Sequence, residues 1–165
     1  MEIEERIQAQ LSKMVLAEKD RSVESNGLLC GRQRKYLDTP IEPLYPFGYG
    51  LSYTRYEYAD LQAVAKETAV VVSVVVTNTG SCNGEETVQC YSRDPVASLV
   101  RPVKKLVAFE EIALETGESK TVRFTLPMKT FGFYDNNMNF VVESGTIQIM
   151  VGRDSSDVLT QDIEI

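Results

Sequence analysis

The sequence predicts an all-β protein, an antiparallel β-sandwich of about seven to eight strands with an appended N-terminal amphipathic helix. Short segments rich in β-branched residues recur between turn residues over residues 54–165, as in a sandwich. Apolar residues recur at helical spacing within residues 1–27. Residues 28–53 are rich in proline and tyrosine. We therefore expect a helix with a polar tail (1–27), a lead-in segment (28–53) and a sandwich domain (54–165).

The N-terminal helix is predicted from four apolar positions. Ile3, Ile7, Leu11 and Met14 recur three or four residues apart and so share one face of a helix. Acidic residues in the first turn suit the positive end of the helix dipole. An isolated helix of about 16 residues is marginal in water, so its apolar face needs a surface to pack on.

The lead-in segment contains three of the six prolines, and with its continuation to residue 58 it holds six of the eight tyrosines. Proline disfavours both helix and central strand, so we expect irregular backbone here. Large aromatic side chains stabilise a fold or an interface by burying area against a neighbour. The predicted packing surface at a domain interface consists of Tyr45, Phe47, Tyr49, Leu51 and Tyr53.

Turn residues separate the predicted strands. Residues 78–80, 116–118 and 135–137 have typical turn compositions, and Pro127 ends a strand. A longer loop, residues 94–105, contains charged side chains that we expect to close it by ion pairs: Asp94, Arg101, Lys104 and Lys105. The predicted strands are 70–77, 87–91, 106–114, 121–126, a short one around Phe133, 140–142, 146–151 and 158–163.

Composition excludes several classes of function. The 165-residue chain has 17 basic and 24 acidic side chains, a net charge of −7, which argues against nucleic acid as a partner because phosphate binding needs a basic surface. The chain has no histidine, which excludes a Ser-His-Asp triad, a Cys-His pair and imidazole metal ligands. We expect no cofactor and no metal site.

Cysteine usage and the N-terminus indicate the compartment. The three cysteines, Cys30, Cys82 and Cys90, are odd in number and lack CxxC spacing, which argues against a disulfide framework or a Cys-only zinc site. Cys90 lies in an alternating apolar segment, so we expect a buried thiol. The N-terminus is acidic and lacks the apolar core of a signal peptide. No apolar stretch approaches the roughly 20 residues of a membrane span. The expectation is a cytoplasmic chain without a membrane partner.

Carboxylates are the only abundant groups capable of catalysis. A glycoside hydrolase needs two of them, held about 5–9 Å apart across a cleft. The adjacent pairs Glu85–Glu86 and Glu110–Glu111 are candidates, but neighbours on a strand point to opposite faces and do not converge. We interpret these carboxylates as solvated charges and edge-strand charges that discourage aggregation.

One motif resembles a known family. Residues 43–54, PLYPFGYGLSYT, look like the segment that leads into the C-terminal fibronectin type III-like domain of family 3 glycoside hydrolases, the β-glucosidases and β-xylosidases. Residues 78–80 and 84–89 resemble the second and third strands of that domain, and residues 94–98 with 101–104 resemble its long loop. Residues 117–122 and 145–152 complete the similarity. The resemblance implies a fibronectin type III/immunoglobulin-like sandwich.

The N-terminal residues add a second resemblance. Residues 7–19 are similar to the opening helix of full-length enzymes of this family. Between these two ends, the family carries a barrel with an aspartate nucleophile and an α/β domain with a glutamate acid/base. No position in the chain matches either motif. The chain looks like a truncated family member that lacks its catalytic domains, and no catalytic residue is carried over.

The resemblance implies a non-catalytic accessory or scaffolding domain in carbohydrate metabolism, not an enzyme on its own. Its partner would be the catalytic domains of a glycoside hydrolase, contacted through the lead-in segment. A homodimer through the N-terminal helix and the Tyr-rich segment is a second possible assembly. The alternatives are a stand-alone carbohydrate-binding module using exposed, coplanar tyrosines, and a small intact hydrolase with two convergent carboxylates.

Overall fold

Residues 43–165 are described by a computed structural model of the chain. The predicted helix with Ile3, Ile7, Leu11 and Met14 lies outside the described residues, as does Cys30. A 3-10 helix follows the fifth strand at Met128–Phe131. The strands are β1 (Tyr56–Ala65), β2 (Ala69–Asn78), β3 (Gly84–Arg93), β4 (Lys105–Leu114), β5 (Ser119–Pro127), β6 (Phe133–Tyr134), β7 (Phe140–Val141), β8 (Thr146–Gly152) and β9 (Val158–Glu164).

The strands form two antiparallel sheets and a small hairpin. The first sheet has the order β1-β2-β5, and the second has the order β4-β3-β8-β9. Strands β6 and β7 pair only with each other. The predicted all-β antiparallel sandwich is confirmed, and each strand predicted from the sequence has a counterpart within a few residues.

Alternation along β2 sets the core. Because successive side chains on a strand point to opposite faces, every second residue of this strand points to the core, and four of these residues are valines. Side chains from β3 and β8 meet that row from the second sheet, where Cys90 is a free, buried thiol as predicted. Burial raises the pKa of Cys90 to about 12. The fully buried apolar residues of these three strands are Val70, Val72, Val74, Val76, Val88, Cys90, Ile149 and Val151.

Strand β1 was not predicted individually because its pattern changes phase. The register with β2 shifts between Ala59 and Gln62, and Asp60 has a positive φ of 53°. Before this bulge the core-facing residues are Tyr56 and Tyr58, at even positions. An extra residue in one strand moves the following side chains to the other face.

A side chain joins the edges of the two sheets. Gln161 on β9 accepts a hydrogen bond from the Ala63 backbone N–H at 2.8 Å and donates from its Nε2 to the Ala63 carbonyl at 3.2 Å. One amide therefore satisfies both backbone groups of a residue on β1. The two sheets are linked at this seam although β1 and β9 belong to different sheets.

The long loop is closed by hydrogen bonds to carbonyls. The only ion pairs within residues 43–165 are Glu118–Lys120 and Arg153–Asp157, so the predicted ion pairs of Asp94, Arg101, Lys104 and Lys105 are wrong. Arg101 donates to the Phe131 carbonyl, Lys104 to Ser155 and Lys105 to Thr130, while Asp94 accepts from the Val96 N–H. Carbonyls at the end of a short helix lack intrahelical partners, so cationic side chains find acceptors there.

Within the part of the chain that the structure describes, no helix has the length and apolar character that crossing a bilayer requires.

Candidate functional site

The described part of the lead-in segment presents apolar side chains outward. Leu51 is 89% exposed and Tyr53 is fully exposed. Tyr45 and Tyr49 contact each other with ring centroids 5.2 Å apart and planes tilted by 46°. We call the exposed set the lead-in surface, and it consists of Tyr45, Phe47, Tyr49, Leu51 and Tyr53. These are the five residues that the sequence predicted as a domain interface.

A buried polar cluster fastens Phe47 and Gly48 of this segment to the second sheet. Gln89 and Tyr91 lie on the side of β3 that faces away from the core, yet they are 6% and 1% exposed. Gln89 donates from Nε2 to the Gly48 carbonyl at 3.1 Å and to the Arg153 carbonyl at 2.5 Å. The Tyr91 hydroxyl donates to Gln89 Oε1 at 2.5 Å. The Phe47 carbonyl accepts from the Ser155 N–H at 2.9 Å.

The backbone of the segment turns at Gly48. The Tyr49 N–H donates to the Pro46 carbonyl at 3.1 Å, and Gly48 has a φ of +81°, as at the third position of a type II turn. A Cβ at Gly48 would lie 2.0 Å from Gln89 Oε1. Glycine is therefore required both by the backbone angle and by the close approach of Gln89.

A second polar cluster fastens the end of the segment. Asn78 is fully buried, and its Oδ1 accepts from Thr54 Oγ1 at 2.6 Å and from the Gly80 N–H at 3.1 Å. Its Nδ2 donates to the carbonyls of Cys82 at 2.9 Å and Leu114 at 3.2 Å. The backbone from Phe47 to Thr54 is thus held near both of its ends.

A cleft of about 570 Å³ lies between this segment and the second sheet. Tyr49 and Leu51 line one side of it, and Glu85 and Glu86 line another. The loop between β8 and β9 adds further charged lining residues, among them Arg153. The cleft therefore combines an apolar wall with an acidic wall.

Glu86 differs from the solvated charge that the sequence predicted. It shares the inward-facing side of β3 with Val88 and accepts a hydrogen bond from the Tyr58 hydroxyl at 2.7 Å. Burial raises the pKa of Glu86, although the Tyr58 hydrogen bond and the charge of Arg153 oppose the shift. Burial is also the main cause that raises the pKa of Tyr58. The prediction holds for Glu110 and Glu111, which are exposed on the edge strand β4.

The other carboxylates of the cleft are committed to the β8–β9 loop. Asp154 accepts from the Ser156 N–H and hydroxyl, each at 2.7 Å, and from the Asp157 N–H at 2.9 Å. Burial raises the pKa of Asp154, but these hydrogen bonds outweigh it and the pKa is lowered. Asp157 pairs with Arg153 at 2.8 Å. These contacts organise the loop.

The sequence singled out the five residues of the lead-in surface as a predicted interface, but it did not indicate the residues that hold their backbone in place. In the sequence, Gln89 has the position of an ordinary polar residue in an alternating strand, and Asn78 has the position of a turn residue. No local signal marks their burial, because the groups that cover Gln89 come from residues 48 and 153. Across residues 43–165, no group of three or more Cys, Asp or Glu residues is arranged to hold a metal ion.

Comparisons with known proteins agree on one family. Residues 86–155 match the fibronectin type III-like domain family. The chain is 42% identical to "Thermostable beta-glucosidase B" of Acetivibrio thermocellus over 88% of its length and 20% of that protein's. It is 41% identical to a "Putative beta-xylosidase" of Formosa agariphila, covering 76% of the chain and 17% of the relative.

A solved structure gives the same result. The structure of beta-glucosidase 3B from Thermotoga neapolitana in complex with glucose matches with a TM-score of 0.71 and 34% identity, over 74% of this chain and 17% of that one. The chain spans about a fifth of the length of the curated relatives it matches.

Proposed function

The chain carries the fibronectin type III-like domain of the family 3 glycoside hydrolases, and from this relationship we propose that it is a non-catalytic accessory domain. Its role is to pack on the catalytic domains of such an enzyme through the lead-in surface. One observation carries the proposal: five large apolar side chains are exposed on a backbone segment that two buried polar clusters hold in place. Exposed apolar patches of this kind mark interaction sites.

Docking on catalytic domains can be measured directly. The catalytic part of a relative, such as the Acetivibrio thermocellus β-glucosidase without its own fibronectin type III-like domain, is mixed with this chain, and binding is followed by calorimetry. We expect a complex that the triple variant Tyr45→Ser, Phe47→Ser, Tyr53→Ser weakens by tenfold or more, which is about 1.4 kcal/mol or more.

The matched control carries Tyr134→Ser and Phe140→Ser, which remove two aromatic side chains exposed elsewhere, on the β6–β7 hairpin. This control variant should bind like the wild type. Equal weakening by both variants, or no complex with the wild-type chain, would contradict the proposed docking surface.

We expect no glycosidase activity from the chain alone. No residue matches the nucleophile or acid/base motifs of the family, and Asp154 and Asp157 in the cleft are engaged by their own loop. The purified chain is assayed with nitrophenyl β-glucoside and nitrophenyl β-xyloside against a heat-treated sample. Turnover that follows the chain through a second purification, and that Glu86→Gln abolishes, would show a hydrolytic site instead.

Self-association is the assembly expected without catalytic domains. The helix predicted around Leu11 and Met14 would cover an apolar surface, and its exchange between two chains would give a two-fold dimer. Light scattering should report a dimer for the wild type and a monomer for the double variant Leu11→Glu, Met14→Glu. A dimer that survives the double substitution would place the contact on the sandwich itself.

A carbohydrate-binding module is the second candidate, favoured by the exposure of Tyr45, Tyr49 and Tyr53. The rings of Tyr45 and Tyr49 are tilted by 46°, so they do not form one flat platform for a sugar ring. The docking function agrees better with this geometry.

A further inference from the structure

The cleft beside the lead-in surface has two walls of different chemistry. Tyr49 and Leu51 supply an aromatic ring and an aliphatic side chain. Glu85 and Glu86 supply carboxylates from consecutive residues of β3. A ligand that fits both walls has an apolar stem and a cationic end.

The two glutamates are the lining carboxylates that form neither an ion pair nor the loop hydrogen bonds of Asp154. Arg153 is the only basic residue in the lining, and it pairs with Asp157 at 2.8 Å. Within residues 43–165, neither Glu85 nor Glu86 forms an ion pair. Glu86 is half-buried, and it is unfavourable to bury a carboxylate without a cation. A cation placed between the two walls would offset that desolvation.

A buried hydroxyl in the same lining also lacks a partner. Tyr56 is 8% exposed and lines the cleft, and its hydroxyl oxygen makes no hydrogen bond among the described residues. Ser52 lies near enough to affect the pKa of Tyr56, but the two hydroxyls do not reach hydrogen-bond geometry. The lining of the cleft therefore includes a polar atom that the described residues leave unsatisfied.

We propose that this cleft receives an arginine side chain from the partner surface that covers the lead-in segment. The inference rests on the docking function proposed above and names the chemistry of the partner at that contact. The guanidinium group forms a charge-assisted hydrogen bond with Glu86 and stacks on the ring of Tyr49, while its methylene stem packs against Leu51. Glu85, on the opposite face of β3, adds attraction through its charge. Arginine suits this site better than lysine because its planar group is less strongly hydrated and can stack.

The test uses a small probe, so it reads the cleft without any partner protein. N-acetyl-arginine amide is titrated into the ¹⁵N-labelled full chain, with the uncharged isostere N-acetyl-citrulline amide as control. We expect saturable chemical-shift changes at the amides of residues 49–51 and 85–87 in the millimolar range. The citrulline probe should leave these amides unchanged.

Variants assign the binding to the two carboxylates. Glu85→Gln, Glu86→Gln should weaken arginine binding about tenfold, equivalent to about 1.4 kcal/mol. Glu110→Gln, Glu111→Gln on β4, which removes the same charge elsewhere, should bind like the wild type. Because Glu85 is exposed, the single variant Glu85→Gln keeps the test valid if the double variant fails to fold, and it should weaken binding in the same direction.

Each outcome decides the proposal. Equal binding of the arginine and citrulline probes, shifts outside the cleft, or an unaffected Glu85→Gln variant would overturn it. Shifts of the same amides by cellobiose but not by the arginine probe would make the cleft a sugar site. If the chain docks on catalytic domains and the glutamate variants dock equally well, only this inference fails. If arginine binds but no complex forms with catalytic domains, the docking function fails instead.

Discussion

Asn78→Ala is expected to lower the free energy of unfolding by about 3 kcal/mol or more. The Asn78 amide makes four hydrogen bonds in a fully buried position. Truncation leaves the Gly80 N–H and the carbonyls of Cys82 and Leu114 without this partner. Each buried group left unpaired costs about 1–3 kcal/mol, although rearrangement and water recover part of the loss.

Urea unfolding followed by circular dichroism measures the effect. The control is Asn136→Ala, which removes the same side chain from an exposed turn between β6 and β7 and should change stability by less than about 0.5 kcal/mol. Asn78→Asp should be at least as destabilising as Asn78→Ala, because its carboxylate would face two carbonyl oxygens without a donor. An Asn78→Ala chain as stable as the Asn136→Ala control would show that the hydrogen bonds of Asn78 do not stabilise the fold.

Gly48→Ala is expected to release the turn at Phe47 and Gly48 from the second sheet, at a cost of about 2 kcal/mol. The new Cβ would meet the Gln89 side chain at 2.0 Å, and alanine is strained at a φ of +81°. Gln89 has a flexible end, but moving it breaks its hydrogen bonds to Gly48 and Arg153. The effect is local because the core below this turn is unchanged.

Hydrogen exchange distinguishes this local release from global unfolding. The Ser155 N–H, which donates to the Phe47 carbonyl, should lose protection in Gly48→Ala, while the amides of β2 should keep most of theirs. Gly50→Ala is the matched control, since no heavy atom lies within 4 Å of a Cβ at that position. Equal loss of protection in both variants would mean that replacing glycine by alanine in this segment, and not the contact with Gln89, determines the effect.

These two positions mark the limit of what the sequence predicts. The valines of β2 identify a strand because their burial follows from the local alternation. The burial of Gln89 does not follow from the local sequence, because Gly48, which covers it, lies 41 residues away along the chain. Strand β1 was missed for a different reason, because its core-facing positions change from even to odd at the Asp60 bulge.

In the candidate site too, some features follow from the local sequence and others depend on residues that are distant along the chain. A stretch rich in proline and tyrosine predicted an interface of five large apolar side chains, and these side chains are exposed among the described residues. The cleft could not be predicted, since it depends on how residues 49–51, β3 and the β8–β9 loop meet. Glu86 was predicted to be solvated. Alternation along a strand tells which residues share a face, but it does not tell how far the core extends along β3.

The Gln161–Ala63 contact makes the two open sides of the sandwich unequal. On one side, a side-chain amide occupies both backbone groups of Ala63, a position on β1 that another polypeptide would need for strand addition. On the other side, β4 and β5 are terminal strands of their sheets, and Glu110 and Glu111 lie exposed on β4. Hydrogen bonds with Gln161 thus protect Ala63 on one margin, and negative charge on β4 repels a second copy on the other. A polypeptide that adds as a strand would therefore meet bonded backbone groups at Ala63 on the β1 margin and negative charge on the β4 margin.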